Sequence, residues 1–133
     1  MDENYTEYAV QAGKTAKNSL RDRIAGVLFG RGLVEYETIY MDGTLEISVI
    51  YGKSSRKRRF LCDMKQVQGY RLGTRDEIFR CFGKIDRDFS SGEPGALCCG
   101  LKTDTEKGSL IVCFEPGETL ASVLQSKYRR LKA

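Results

Sequence analysis

A tract of basic side chains is the feature of this sequence with the clearest binding chemistry. Its members are Lys53, Arg56, Lys57, Arg58 and Arg59, which together carry a charge of +5. Clustered cations attract phosphate groups, whether on lipid headgroups or on nucleic acid. A charged strand face held in water has the same composition, so the sequence leaves both interpretations of this basic tract open.

A second cluster of cations lies near the end of the chain. Lys127, Arg129, Arg130 and Lys132 contribute +4, although the net charge of the whole chain is only +4. The remaining residues are therefore net acidic, and the positive charge is localised in the two clusters. Cations in the last turns of a helix interact favourably with the negative end of its dipole, which gives much of this second cluster a structural explanation.

Catalytic chemistry is not expected. The chain contains no histidine, which excludes Ser-His-Asp and Cys-His nucleophile pairs, histidine metal sites and imidazole proton shuttles. Carboxylates remain available, but Glu35, Glu37 and Glu46 are spread along predicted strands at positions that a polar face would occupy anyway. We therefore predict a protein that is not an enzyme and that needs no cofactor or metal.

The five cysteines show neither a disulfide framework nor a zinc-binding pattern, because their number is odd and no C-x-x-C spacing occurs. Cys62 and Cys113 alternate with apolar residues in strand-like runs, the usual setting of a buried thiol in a reducing compartment. For Cys98 and Cys99 we expect one inward and one outward side chain on a strand, with a redox-sensing pair as the alternative. An intracellular location follows.

Length and composition indicate one domain with a loose N-terminal region. A chain of 133 residues with 41% hydrophobic and 30% charged residues has the size and composition of a single soluble domain. Residues 1–19 are polar and are predicted to be weakly ordered. Residues 20–34 resemble an amphipathic helix or a membrane-surface segment, too short to span a bilayer. The predicted division is an arm over residues 1–33 and a folded domain over residues 34–133.

The period of hydrophobicity changes to two after Tyr36. Leu45, Ile47, Val49 and Tyr51 fall on one face of a strand, the pattern of an antiparallel sheet with one wet side. Asp42-Gly43 predicts a tight hairpin, since glycine tolerates the positive φ of a primed turn. A third strand should begin inside the basic tract and run to Met64, and a fourth should cover residues 66–72, which together predict a four-stranded meander.

Two helices and a last hairpin complete the prediction. Thr74 and Glu77 have the spacing of a capping box, which favours a short helix through residues 78–82. A strand over the same residues is the alternative, because so short a helix has little intrinsic stability. Residues 96–102 and 109–115 flank a polar turn and predict a hairpin. An amphipathic helix follows, whose apolar stripe can lie on the sheet; the stripe consists of Leu120, Val123, Leu124, Tyr128 and Leu131.

The predicted order is about seven short antiparallel strands capped by one amphipathic helix. The predicted fold class is therefore mainly β with a C-terminal α-helix. Over about residues 34–131 the chain resembles bacterial pleckstrin-homology-like (PH-like) barrels, and more narrowly a family of small membrane-anchored bacterial proteins that contain such a domain. The segments that carry the resemblance are Tyr36-x-x-x-Tyr40-x-Asp42-Gly43-x-Leu45-x-Ile47, Ile50-Tyr51-Gly52-Lys53, Arg56-Lys57-Arg58, Asp88-Phe89-Ser90-Ser91 and Phe114-Glu115-Pro116.

The chain departs from this family in its N-terminal region. Family members carry hydrophobic membrane segments ahead of the PH-like body, whereas this chain has only the apolar stretch Ile24–Gly30. Either the anchor is absent or it has been removed, in which case the joint should lie near Gly26 to Gly32. Arg21 and Arg23 would then be the cytoplasmic flank that the positive-inside rule expects.

The resemblance implies a non-enzymatic domain at the cytoplasmic face of a membrane, soluble as this chain stands. Eukaryotic PH domains hold phosphoinositides with basic residues at the first strand-to-strand loop, which here is the short, acidic Asp42-Gly43. We therefore expect weak, non-specific contact with an anionic membrane through residues 53–59. The alternative is a protein-interaction or self-association module that uses a strand edge or the groove beside the C-terminal helix.

Nucleic acid is not an expected partner. Tyr51 and Phe60 are aromatic neighbours of the basic tract and could stack on bases. Both lie, however, at positions where strands normally place core residues, and no nucleic-acid-binding motif occurs.

Overall fold

The computed structural model describes residues 5–12, 34–52 and 55–133, which form two four-stranded sheets and two α-helices. The strands are β1 (Tyr5–Gln11), β2 (Val34–Met41), β3 (Thr44–Tyr51), β4 (Ser55–Asp63), β5 (Val67–Gly73), β6 (Arg87–Phe89), β7 (Cys98–Thr105) and β8 (Gly108–Phe114). The helices are α1 (Arg75–Phe82) and α2 (Gly117–Lys127), and short 3₁₀ helices cover Met64–Gln66 and Arg129–Leu131.

The first sheet is an antiparallel meander in the order β1-β2-β3-β4. Its central hairpin turns at Asp42-Gly43, where φ is 48° and 87°, and Met41 pairs with Thr44 across the turn. Positive φ at both central residues is the conformation of a type I′ turn, whose twist matches that of the flanking strands. The hairpin predicted from the sequence is confirmed.

The N-terminal region contributes a strand that the sequence pattern does not predict. Weak order was predicted for residues 1–19, which is wrong for β1, because its seven residues pair with β2 along their whole length. Thr6 is buried and Val10 packs against the core. Thr6, Tyr8 and Val10 share the inward face by alternation, but Tyr8 is 43% exposed and Thr6 is polar, so the local pattern is weak. The pairing with β2 supplies what this pattern lacks.

The second sheet has the order β5-β7-β8-β6. The prediction that β5 continues the meander is wrong, because β5 crosses to this sheet and pairs with β7. The predicted hairpin of β7 and β8 is confirmed. The short strand β6 runs parallel to β8, so the strands are not all antiparallel as predicted.

Helix α1 covers the outer face of the second sheet. The predicted capping box is present: the Glu77 N–H donates to Thr74 Oγ1 at 3.3 Å, and the Thr74 N–H donates to Glu77 Oε1 at 3.4 Å. The helix ends at Gly83, whose φ is 79°, the left-handed conformation that glycine adopts easily. Buried Ile78 joins the helix to Cys98 and Cys113 in a small second core.

The main core lies between the two sheets and is closed by α2. Both sheets contribute fully buried side chains, among them Tyr40, Ile47 and Tyr70. Helix α2 adds Leu120, Val123 and Leu124, while Tyr128 and Leu131 pack at its margin, so the predicted apolar stripe is confirmed. The mainly β fold with a C-terminal helix is confirmed as well, although no hydrogen-bonded ladder joins the sheets into a closed barrel across the described ranges.

Some predictions fall outside the described residues. These are the amphipathic segment before Val34, the joint near Gly26 to Gly32 and the position of Lys53. Within residues 5–12, 34–52 and 55–133, none of the helices is both long enough and apolar enough to cross a membrane.

Candidate functional site

The basic tract lies on β4, at one edge of the first sheet. Arg56, Lys57 and Arg58 are exposed, and Arg59 is half-buried. Arg56 and Arg58 stand opposite Ile50 and Ser48 of β3, on the face that points away from the core. The fold therefore divides the tract, since side chains alternate between the two faces of a strand.

Carboxylates of the same outer face pair with two members of the tract. Arg56 forms a salt bridge with Glu37, and Arg58 Nη1 lies 3.6 Å from Glu46 Oε1. By alternation along β1 and β2, Glu7 and Glu35 also lie on this face. The outer face thus holds more acids than bases among these side chains, and acids of this face pair with Arg56 and Arg58.

Arg59 is held by hydrogen bonds within the fold. The pairing of β3 with β4 shifts between Ile47 and Ser48, which leaves Arg59 as the additional residue of a β-bulge. Its Nη2 donates to the Tyr51 hydroxyl at 3.1 Å, and its carbonyl accepts from Arg87 Nη1 at 2.9 Å. The half-buried guanidinium thus links the two strands, and the Arg87 contact ties β4 to the second sheet.

Lys57 is exposed, and it forms no ion pair with a carboxylate of the described ranges. It is close to the end of the first sheet where Gln11, Val34, Tyr51 and Ser55 come together, which we call the Val34 end. Lys53 lies outside the described residues, in the connection between β3 and β4 that leaves the sheet at this end.

The chain between β1 and β2 also leaves and returns at the Val34 end. The Ala12 N–H donates to the Val34 carbonyl at 2.7 Å, which fixes both ends of the intervening segment at one place. In sequence, residues 13–33 contain five cations and a single aspartate, together with the apolar stretch Ile24–Phe29. The topology thus attaches this segment next to the connection that contains Lys53.

The second basic cluster lies at the opposite end of the sheet. Tyr128 reaches the Asp42-Gly43 turn, where its hydroxyl lies 2.7 Å from the hydroxyl of buried Tyr40. Burial, with the Tyr40 hydrogen bond second, raises the pKa of Tyr128 above its ordinary value. Beside this pair, a groove of about 410 Å³ is lined by Lys65 and Lys127 together with Asp42 and Asp63. Its lining charges are mixed, so it is not a cationic pocket.

Two sequence segments that carry the family resemblance meet in space. Phe89 of β6 lies beside Phe114 of β8, and the Ser91 N–H donates to the buried carboxylate of Glu115. On the other side of the strand, Asp88 accepts from Arg75 Nε at 2.7 Å and from the Ser90 hydroxyl at 2.6 Å. These acids satisfy donors of the loop after β6, which gives the motifs a structural role that their spacing alone did not show.

Four of the five cysteines are buried, and Cys81 is exposed. Burial raises the pKa of Cys62 to about 11. Cys98 and Cys99 lie on opposite faces of β7, as predicted, but both are buried: Cys99 lies in the main core, and Cys98 lies beneath α1. Burial raises the pKa of Cys99, and a hydrogen bond with Cys98 is the largest contribution to the raised pKa of Cys113. These thiols are therefore poor nucleophiles.

The described residues contain no group of three or more side chains of the histidine, cysteine, aspartate or glutamate type that could hold a metal ion. A second groove, of about 590 Å³, runs beside the start of α2. Its lining includes the partly exposed Tyr8 and Leu97 as well as Glu115 and Glu118. This is the groove beside the C-terminal helix that the alternative function would use.

Two facing sheets with a C-terminal helix across one margin of the core place the chain in the class of PH-like domains. Residues 23–131 match the model of a protein family described as Bacterial PH-like domain (DUF6106), and the chain belongs to that family. The resemblance to bacterial PH-like domains inferred from the sequence is thereby confirmed, and the match begins within the segment between β1 and β2. Neither the curated proteins nor the solved structures contain a match.

Proposed function

We propose that this PH-like domain contacts anionic membrane surfaces through the Val34 end of its first sheet. One observation carries the proposal: the Ala12–Val34 hydrogen bond of 2.7 Å anchors the basic and apolar segment 13–33 at the same end as the connection that holds Lys53. Cations flanking a short apolar stretch are the composition of segments that lie at the surface of an anionic bilayer.

The ion pairs on β4 refine which members of the basic tract take part. Arg56 and Arg58 are engaged by Glu37 and Glu46, and half-buried Arg59 bonds to Tyr51. The contact is therefore assigned to Lys53 and Lys57 of the tract. It has the character of a diffuse electrostatic attraction rather than of a specific pocket.

Vesicle binding tests the proposal. The chain is sedimented with vesicles of neutral phosphatidylcholine, with or without phosphatidylserine, at low and high salt. Each cation near an anionic leaflet contributes about 1 kcal/mol, so Lys53→Ser combined with Lys57→Ser should weaken binding to the anionic vesicles about 30-fold. High salt should abolish the binding of the unchanged chain.

The matched control removes two cations from the opposite end. Arg129→Gln combined with Arg130→Gln lowers the charge by the same amount, and both residues are exposed. This variant should bind almost as well as the unchanged chain. Two results would show that the Val34 end is not the contact. One is equal binding of the unchanged chain to neutral and to anionic vesicles, and the other is a greater loss of binding in the control than in the lysine variant.

A further inference from the structure

The edges of the two sheets differ in how they are protected against pairing with another strand. Exposed edges with unpaired backbone groups invite another chain, and proteins block them with charges, bulges, short strands or covering segments. Edge strand β4 carries four cations and a bulge. Edge strand β5 is covered where the Ala133 N–H donates to the Tyr70 carbonyl at 2.7 Å, and edge strand β6 has three residues.

Among the described residues, strand β1 lacks a bulge, and its contact with a helix, that of Tyr8 with Gly117 at the start of α2, lies on its inward face and leaves the edge open. Its seven residues pair with β2 without a register shift, and no strand of the described ranges lies on its other side. It contains neither proline nor lysine, and Glu7 is its single charged residue. Tyr5, Glu7, Tyr8, Ala9 and Gln11 are exposed.

We propose that the open edge of β1 pairs antiparallel with β1 of a second copy of this chain, about a two-fold axis at Tyr8. The direction of the backbone N–H and carbonyl groups of β1 supports this pairing. Ala12 donates to Val34, and residues of an antiparallel strand alternate in the direction of their backbone groups. Tyr5, Glu7, Ala9 and Gln11 therefore direct their N–H and carbonyl groups toward the open edge.

Charge and length select the register. An axis at Glu7 would place two glutamates directly opposite each other, which is destabilising. An axis at Ala9 would leave the first two residues of β1 without partners. An axis at Tyr8 pairs all seven residues, with Glu7 opposite Ala9 and Tyr5 opposite Gln11 of the second copy.

This register makes the strand complementary to itself, as a two-fold interface requires, and for that reason we assign the edge to a second copy rather than to an unrelated peptide. The two Tyr8 residues form the close, non-hydrogen-bonded pair at the centre, a position that favours aromatic contacts across strands. The inference does not rest on the proposed membrane contact, because it uses only the edge of β1.

Cross-linking tests the register. In a chain with Cys81→Ser, which removes the exposed thiol, Tyr8→Cys would bring two thiols together at the axis. The Cα–Cα separation of about 4.5 Å in such a pair lies within the range that a disulfide spans. With diamide as oxidant, we expect most of this variant to run as a dimer on a non-reducing gel.

Tyr5→Cys is the matched control, since Tyr5 and Tyr8 are 41% and 43% exposed. In the proposed register the introduced thiols would lie about 20 Å apart, so cross-linking should be at least tenfold lower. Failure of Tyr8→Cys to cross-link, or equal yields for the two variants, would overturn the proposal. A peptide partner at this edge would give the first of these results.

A backbone change separates pairing from side-chain reactivity. Ala9→Pro removes an N–H that faces the open edge and leaves the bonds to β2 in place, a position that tolerates proline. Circular dichroism should show an unchanged fold, while sedimentation velocity should show a dimer dissociation constant raised at least tenfold. An unchanged dissociation constant, or a monomeric parent chain at millimolar concentration, would contradict the proposal.

Discussion

Gly100 fixes how closely α1 approaches the second sheet. A Cβ atom at this position would lie 2.4 Å from Ile78 Cγ2 and 3.0 Å from Phe82 Cε2. Ile78 is fully buried, so it has no space into which to move. The small second core of Ile78, Cys98 and Cys113 thus depends on the absence of a side chain on β7.

Gly100→Ala should lower the free energy of unfolding by about 1–3 kcal/mol, because overpacking forces neighbouring side chains out of their rotamers. Urea denaturation followed by circular dichroism measures the change. Gly69→Ala on neighbouring β5 is the control, since the nearest atom to a Cβ there is the Leu131 carbonyl oxygen at 3.4 Å, an ordinary contact. Equal losses in the two variants would mean that the Ile78 contact is not the cause.

At the residue scale, the sequence predicts the core faces of regular strands and fails where a second layer intervenes. Leu45, Ile47 and Val49 are buried as their alternation indicated. Cys98 lies on the face of β7 that points away from the main core, yet it is buried because α1 lies over it. No local pattern on β7 indicates that helix α1, which precedes it in the chain, covers this face.

At the scale of elements, the predictions that succeeded depend on local chemistry. The Asp42-Gly43 turn and the Thr74–Glu77 capping box each involve neighbouring residues. The predictions that failed concern pairing between distant segments: β1 with β2, β5 with β7, and β6 parallel to β8. Such pairing is set by tertiary packing, which strand propensity does not encode.

The loop after β6 offers a test at this scale. Glu115→Gln should cost about 1 kcal/mol of stability, because a neutral amide oxygen accepts the Ser91 N–H less strongly than a carboxylate does. The Ser91 amide should also exchange faster with solvent, as NMR can measure. Glu118→Gln, at an exposed position of α2, should change stability by no more than about 0.5 kcal/mol. Unchanged exchange at Ser91 would argue against the contact.

For the molecule as a whole, the buried thiols link stability to pH. Cys62, Cys99 and Cys113 all have pKa values raised in the folded state. The unfolded chain therefore loses thiol protons first, and their contribution to stability is full below the ordinary thiol pKa of about 8.5 and falls as pH rises above it. The whole fold should weaken on the alkaline side.

Chemical denaturation between pH 7 and pH 11 measures this effect. Stability should be nearly constant to about pH 8 and should then fall, as ionisation of the unfolded thiols becomes favourable. Cys62→Val should show a smaller fall between pH 8 and the folded Cys62 pKa of about 11, whatever its stability at pH 7. A stability that stays level to pH 11 would contradict the linkage.

The candidate site was only partly accessible from the sequence. Composition alone located the basic tract, but its pairing with Glu37 and Glu46 depends on the register of three strands. The shared location of the β1–β2 and β3–β4 connections likewise follows from the unanticipated strand β1. Charge counts identify cations, whereas sheet topology decides which of them neighbouring acids neutralise.

The antiparallel course of β1 has a consequence for geometry. A two-fold axis at Tyr8 turns the second copy end for end, so the two Val34 ends point in opposite directions along one continuous sheet. A flat bilayer could meet only one of them, which leaves the other exposed to solution. A dimer of this kind would carry one membrane-binding end on each of two opposite sides. It could therefore tether one anionic membrane to another across the width of a single domain.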